Sequence, residues 1–277
     1  MKKSLTIFFV IVITGVSFFY TEKIVKLARN ADPIMIEINN VKKDLKIDNV
    51  KPIITNDEYI SGINGCVVNE QESYNKMKQV GKFDDNLLVM KSNENNVSTK
   101  NKYIVAGNKK IKNVSIIIEV NNEFSSSLYN FLREKKTKLN FFVDGYFLDN
   151  NLIYVQKLSK IGNIYNGGRD QSYNESTIIY DNSVLESVSN NKSNYCFVSK
   201  KNKKTLKLCN NYDMDVVKGN YISSALDVKE DLSNGKIIVL DDIEEIKIKM
   251  IVNYILSKGY NIVTLDTLLS EENDCNY

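Results

Sequence analysis

The chain has 277 residues, 43% hydrophobic and 26% charged, with a formal net charge of +3; this gives room for one large domain plus an appendage with an ordinary globular balance. Histidine is absent, which excludes Ser-His-Asp triads, Cys-His pairs and His-ligated zinc or iron. The charge is too small, and the lysines too spread, to indicate a nucleic-acid partner.

At the N-terminus, Met1-Lys2-Lys3 precedes an uncharged apolar run, Leu5–Tyr20. It falls just short of the ~20 residues that span a bilayer and exceeds most signal-peptide cores. Thr21-Glu22-Lys23 follows where a cleaved leader would have small residues, so residues 1–20 are expected to be a signal anchor; a cleaved signal peptide is the alternative. Lys23, Lys26 and Arg29 follow the run, so the positive-inside rule does not fix orientation. Residues 21–52 are expected to be a juxtamembrane linker, helical to Ala31 and ended by Pro33. Residues 53–110 read as a small accessory region: a tight turn at Gly62–Gly65, a helix Glu70–Val80 stopped by Gly81, and strands at Leu87–Met90 and Tyr103–Ala106.

The main domain is expected over 111–277. Val114-Ser-Ile-Ile-Ile-Glu119 is a β-branched apolar run ending in one acid, the pattern of a buried strand that delivers a carboxylate to its C-terminal end. Leu139–Asp144 repeats it, as does Lys236–Asp242. Helical stretches at Ser126–Lys135, Asn151–Ile161, Ser176–Asn190 and Glu244–Lys258 alternate with strands at Tyr195–Ser199, Asp213–Val217 and Asn261–Thr264. Seven strand–helix units indicate a closed or nearly closed α/β barrel. None of the four cysteines forms a CxxC pair. Cys196 and Cys209 form a disulfide if the chain is exported, or are two buried thiols on neighbouring elements.

Glu119, Asp144, Asp170, Asp241 and Asp242 all fall at strand ends or just beyond them, where barrel enzymes keep their sites. Two carboxylates of unlike environment suit glycosidase-type acid/base work, and several together suit Mg²⁺ or Ca²⁺ held through oxygen. The plainer reading is helix capping, with Asp241-Asp242 capping the helix that begins near Glu244. Tyr146, Tyr165 and Tyr195 either stack on sugar rings or are half-buried packing with a wet hydroxyl.

Three stretches together resemble the polysaccharide deacetylase (NodB-homology, carbohydrate esterase 4-like) family: Val114–Asn121, Lys138-Leu-Asn-Phe-Phe-Val-Asp-Gly145, and Gly235–Asp242 followed by Ser257-Lys-Gly-Tyr-Asn-Ile-Val-Thr-Leu265. The resemblance covers about residues 111–270 and implies a distorted (β/α) barrel of about seven strands. Active members of that family hold a divalent metal with one Asp and two His, use a neighbouring Asp as base and use a late His as acid. Position by position, the base falls on Glu119, the metal aspartate on Val120, the two metal histidines near Gly168 and Ser172, and the acid histidine on Asp241. The family's Arg-Pro motif falls at Tyr195-Cys196-Phe197. Without the metal, nothing polarises the amide carbonyl or lowers the pKa of the attacking water.

The resemblance therefore implies a degenerate, catalytically inactive protein without cofactor or bound metal. It is expected on the extracytoplasmic face of a membrane, binding cell-envelope glycan or an envelope protein. Asp144, Tyr146 and Tyr195 are the expected substrate-binding residues. The alternatives are a carbohydrate-active hydrolase working through Glu119, Asp241 and Asp242, and a structural protein of the envelope.

Overall fold

The computed structural model describes residues 2–222, 224–240 and 244–275, with the side chains of 2–11 and 18 left aside. The chain divides into two compact units, residues 1–49, 64–94 and 273–277 in the smaller and residues 50–63 and 95–272 in the larger.

In the smaller unit the apolar run lies within a helix, Lys2–Asn30. Among the described residues no helix is long and apolar enough to cross a membrane. The first helix ends at Asn30, just before Pro33 as expected, and Pro33 also opens the next one. It occupies the first turn of Pro33–Val41, where its missing N–H costs nothing, and the Asp32 carboxylate caps the Ile34 N–H at 3.0 Å. The helix Glu70–Val80 is capped by Asn69 and stopped by Gly81, whose φ of 81° suits glycine. It joins two antiparallel strands, Gly65–Val68 and Met90–Asn93. The second strand lies three residues beyond its expected start because Asp84 caps a short 3-10 turn, Asp85–Leu87. Ile34, Met35, Ile38, Val68 and Met77 form the core, and Cys66 is bonded to Cys275.

The larger unit has two sheets. The first runs, in spatial order, Ile53–Ile54, Glu58–Ile60, Tyr103–Ala106, Asp215–Lys218, Tyr195–Val198, parallel except for the first pair. The second is wholly parallel: Asn220–Ile222, Ile237–Leu240, Asn113–Val120, Leu139–Val143, Gly162–Asn166, with Asn261–Ile262 also paired to Asn113–Val120. The central strands are buried on both faces, which is why they read as unbroken apolar runs. Ile116, Ile118 and Val120 pack with helix residues such as Leu132 and Ile251, whereas Ile117 turns the other way, onto Phe142, Phe197 and Val239. Glu119 shares the direction of Ile117 by the two-residue period. The chain passes between sheets at Gly219, where a Cβ would collide with the Val239 side chain.

Two expectations change here. The accessory region does not extend over 53–110, because Glu58–Ile60 and Tyr103–Ala106 are strands of the larger unit's sheet. The barrel is also not closed by backbone pairing: among the described residues no ladder joins Gly162–Asn166 to Tyr195–Val198. Side chains span that gap. The Tyr173 hydroxyl accepts from the Phe197 N–H at 3.0 Å and donates to the Asn166 carbonyl at 3.0 Å. The buried Ser193 hydroxyl accepts from the Asn166 N–H at 2.8 Å. Burial pushes the Tyr173 hydroxyl pKa up, which keeps it a donor. Cys196 and Cys209 form a disulfide between a strand and the following helix and are not two free thiols.

Candidate functional site

The C-terminal ends of Asn113–Val120, Leu139–Val143 and Gly162–Asn166 open into a groove of about 570 Å³, lined among others by Glu119, Asn121, Tyr146, Asp170 and Gln171. Its floor is set by Glu119. One carboxylate oxygen accepts from the Tyr221 hydroxyl, and the other accepts from the Gln171 amide at 2.9 Å.

Gln171 reaches Glu119 through an unusual turn. Arg169 and Ser172 exchange backbone hydrogen bonds of 2.9 and 3.0 Å. Between them Asp170 (φ 49°) and Gln171 (φ 59°) are both left-handed. Two consecutive non-glycine residues in that region carry strain and persist only where the surroundings hold them. Asp144 supplies part of that hold. One of its oxygens accepts the N–H groups of Tyr146 (2.8 Å) and Phe147 (3.3 Å), and the other accepts the Asp170 N–H at 2.7 Å. Arg169 supplies the rest, pairing with Asp149 at 2.8 Å and with the buried Asp181 at 2.7 Å. These two carboxylates hold the Arg169 pKa above its ordinary value, while burial pushes Asp181 up despite the arginine. The guanidinium also lies 5.1 Å from the Tyr146 ring centroid.

The expected site residues separate accordingly. Glu119, Asp144 and Tyr146 all line the groove, but Asp144 is spent on three backbone N–H groups and acts as a helix cap and turn anchor. Tyr146 is 54% exposed and presents its ring to solvent. Tyr195 is not on this rim. It starts its strand instead of ending it, is 9% exposed, and packs on Tyr165 with ring centroids 5.3 Å apart. Asp241 and Asp242 lie outside the described residues. Arg169, Gln171, Tyr173 and Tyr221 were not anticipated from the sequence. Only the glycine-flanked turn around Arg169 signalled irregular backbone there.

The positions that match the metal ligands of the resembled family are closed to that role. Val120 is 1% exposed and faces the helices. Gly168 has φ 74°, and a Cβ there would lie 2.7 Å from the Ser172 carbonyl oxygen. Among the described residues no group of three His, Cys, Asp or Glu side chains is placed to hold a metal ion. What the groove offers is hydrogen bonding to a polyhydroxylated ligand from Asn121, Gln171 and Glu119, beside an exposed aromatic face.

No family model matches the chain. Over 108 residues, 37% of its length, it is 34% identical to the uncharacterized protein YlxY of Bacillus subtilis (strain 168), and it spans only 34% of that protein. Its structure is similar to wild-type BA3943, a CE4 family pseudoenzyme from Bacillus anthracis, with a TM-score of 0.59 at 19% identity, over 87% of this chain and 96% of that one. It is similar to PdaA of Bacillus subtilis, a family 4 carbohydrate esterase, with a TM-score of 0.52 at 16% identity, over 60% of this chain and 86% of that one. The match to BA3943 covers more residues than the larger unit contains, so it extends into the smaller one.

Proposed function

We propose that this chain, which has the fold of the family 4 carbohydrate esterases, is a catalytically inactive protein of that type whose groove binds cell-envelope glycan outside a membrane. The observation that carries the reading is the pair Glu119-Val120 in a chain without histidine. A carboxylate stands where the family has its base, and a buried valine stands where it has a metal ligand. Without a Lewis acid, an amide carbonyl bound in the groove is not polarised and water is not activated. The groove nevertheless stays open and lined with hydrogen-bonding groups, as a binding site requires. The likeness to a CE4 pseudoenzyme supports the same conclusion.

Two features support the location. All four cysteines are in disulfides, a pattern of oxidising compartments outside the cytosol. The uncharged apolar run Leu5–Tyr20 behind Lys2-Lys3 is the sequence feature on which an N-terminal membrane anchor is proposed.

The test uses the full chain in detergent micelles, incubated with cell-wall oligosaccharides with and without Mg²⁺, Ca²⁺, Mn²⁺ or Zn²⁺. Fragments retained at unchanged mass support the reading. Loss of an acetyl group, or a cut glycan, would replace it with a working hydrolase on the acidic rim.

A further inference from the structure

We propose that the glycan held in the groove is acidic, and that its carboxylate or phosphate substituent seats among Lys200, Lys203 and Lys204 in a second recess on the same rim. The proposal rests on the reading of the groove as a glycan site and adds the chemical class of the ligand.

The run Lys200-Lys201-Asn202-Lys203-Lys204 places four cations in five residues with no acidic residue among them. It follows the strand Tyr195–Val198 and leads into the helix Lys203–Asn211. It therefore lies at a C-terminal strand end, as Glu119 does. There it lines a recess of about 470 Å³ together with Ser199 and Thr205. Lys201 is neutralised by Asp57 at 2.7 Å and Glu58 at 3.0 Å. Among the described residues Lys200, Lys203 and Lys204 form no ion pair. Three like charges crowded at a recess repel one another, and a bound anion offsets that cost. The positive end of the helix adds to the field. Its first amides do not make the site, because the Asn202 side chain already accepts the N–H groups of Lys204 and Thr205. The lysine ammoniums are the donors that remain.

Gln171 connects the two sites, since it lines both the groove and the lysine recess. The groove itself carries Glu119, Asp144 and Asp170. An anionic substituent is therefore disfavoured in the groove and favoured beside it, whereas sugar hydroxyls are accepted by the groove carboxylates. This separation of charge fixes the orientation of the ligand as well as its class.

The experiment is calorimetric titration of the full chain in detergent micelles with three N-acetylglucosamine-based oligosaccharides of equal length: one neutral, one carrying carboxylates, one carrying phosphates. At low salt the acidic ligand should bind about tenfold more tightly than the neutral one, the yield of three exposed ion pairs. The advantage should vanish near 0.5 M salt, where the screening length is roughly 4 Å. It should also vanish in the exposed-site variant Lys200→Gln/Lys203→Gln/Lys204→Gln, with neutral binding unchanged. Whichever acidic arm shows the larger advantage identifies the substituent. Equal binding of all three ligands, or an acidic preference that survives the triple substitution, overturns this proposal and leaves the glycan reading standing. Failure of every ligand to bind the wild type overturns both.

Discussion

Replacing Tyr173 with Phe removes one oxygen atom and keeps the ring. That oxygen is the link between the edge strands of the two sheets in the larger unit: it accepts from Phe197 N–H and donates to Asn166 C=O, both at 3.0 Å. Phe197 is 7% exposed and Asn166 is fully buried, so water does not readily replace the lost partner. Leaving a buried donor or acceptor unsatisfied costs about 1–3 kcal/mol. With two such groups and partial relaxation, the substitution should cost about 2–4 kcal/mol. For a unit of this size, about 1 kcal/mol moves the melting temperature by roughly 2–4 °C, so a fall of about 4–16 °C is expected by near-ultraviolet circular dichroism. Ser193→Ala removes the neighbouring link to Asn166 N–H. The double variant should lose less than the sum of the two, because both links hold the same strand. A Tyr173→Phe protein within about 0.5 kcal/mol of wild type would refute the idea that side chains, in place of a ladder, hold the sheets together.

Two further outcomes follow from buried charges. Arg169→Met should cost about 3–5 kcal/mol in urea unfolding, because it leaves Asp181, 1% exposed, as an unpaired carboxylate; the Gln171–Glu119 contact should loosen with it, read as a shift of the Gln171 side-chain amide resonance. Asp215 is pushed above 3.8 by burial and lowered only in part by its bond to Thr99. Its ionised form therefore opposes folding at neutral pH. The penalty is relieved as pH falls through the raised folded value, and it is gone below 3.8, where both states are protonated. Asp215→Asn keeps an acceptor for Thr99, so its melting temperature should exceed wild type at pH 7 and converge on it toward pH 4. A variant that is less stable at pH 7 would reject the argument.

Much of the larger unit is legible in the sequence because its central strands are buried on both faces. Val114–Val120 and Ile237–Leu240 admit little else, and the helix after Glu244 carries its own apolar stripe with Gly259 behind it. Tyr195 shows where such reading stops. Composition locates a strand but not which of its ends a residue marks, and Tyr195 is at the start. Pro33 is legible in part: the break before it can be read, but the helix it opens shows only when Asp32 is seen capping Ile34. The groove depends on contacts between residues far apart in sequence. Nothing local to Gln171 announces a left-handed backbone, and nothing local to Glu119 announces Tyr221 across 102 residues. The run Lys200–Lys204 passes in the sequence as part of a general spread of lysines. It gained meaning only once the fold put it at the same strand ends as Glu119.

The bond between Cys66 and Cys275 makes a covalent ring of the chain between them, with a sequence separation of 209. A protease that cuts once inside that ring opens it without releasing a fragment, so a nicked molecule stays whole until a reductant is added. The ring also sets an order of events. Cys66 stands unpaired until the chain through Cys275 has reached the same oxidising compartment. Cys196 and Cys209, only 13 apart, pass it in the interval and are the wrong partners nearest to hand. The smaller unit, which begins the chain, is thus the last part to be locked.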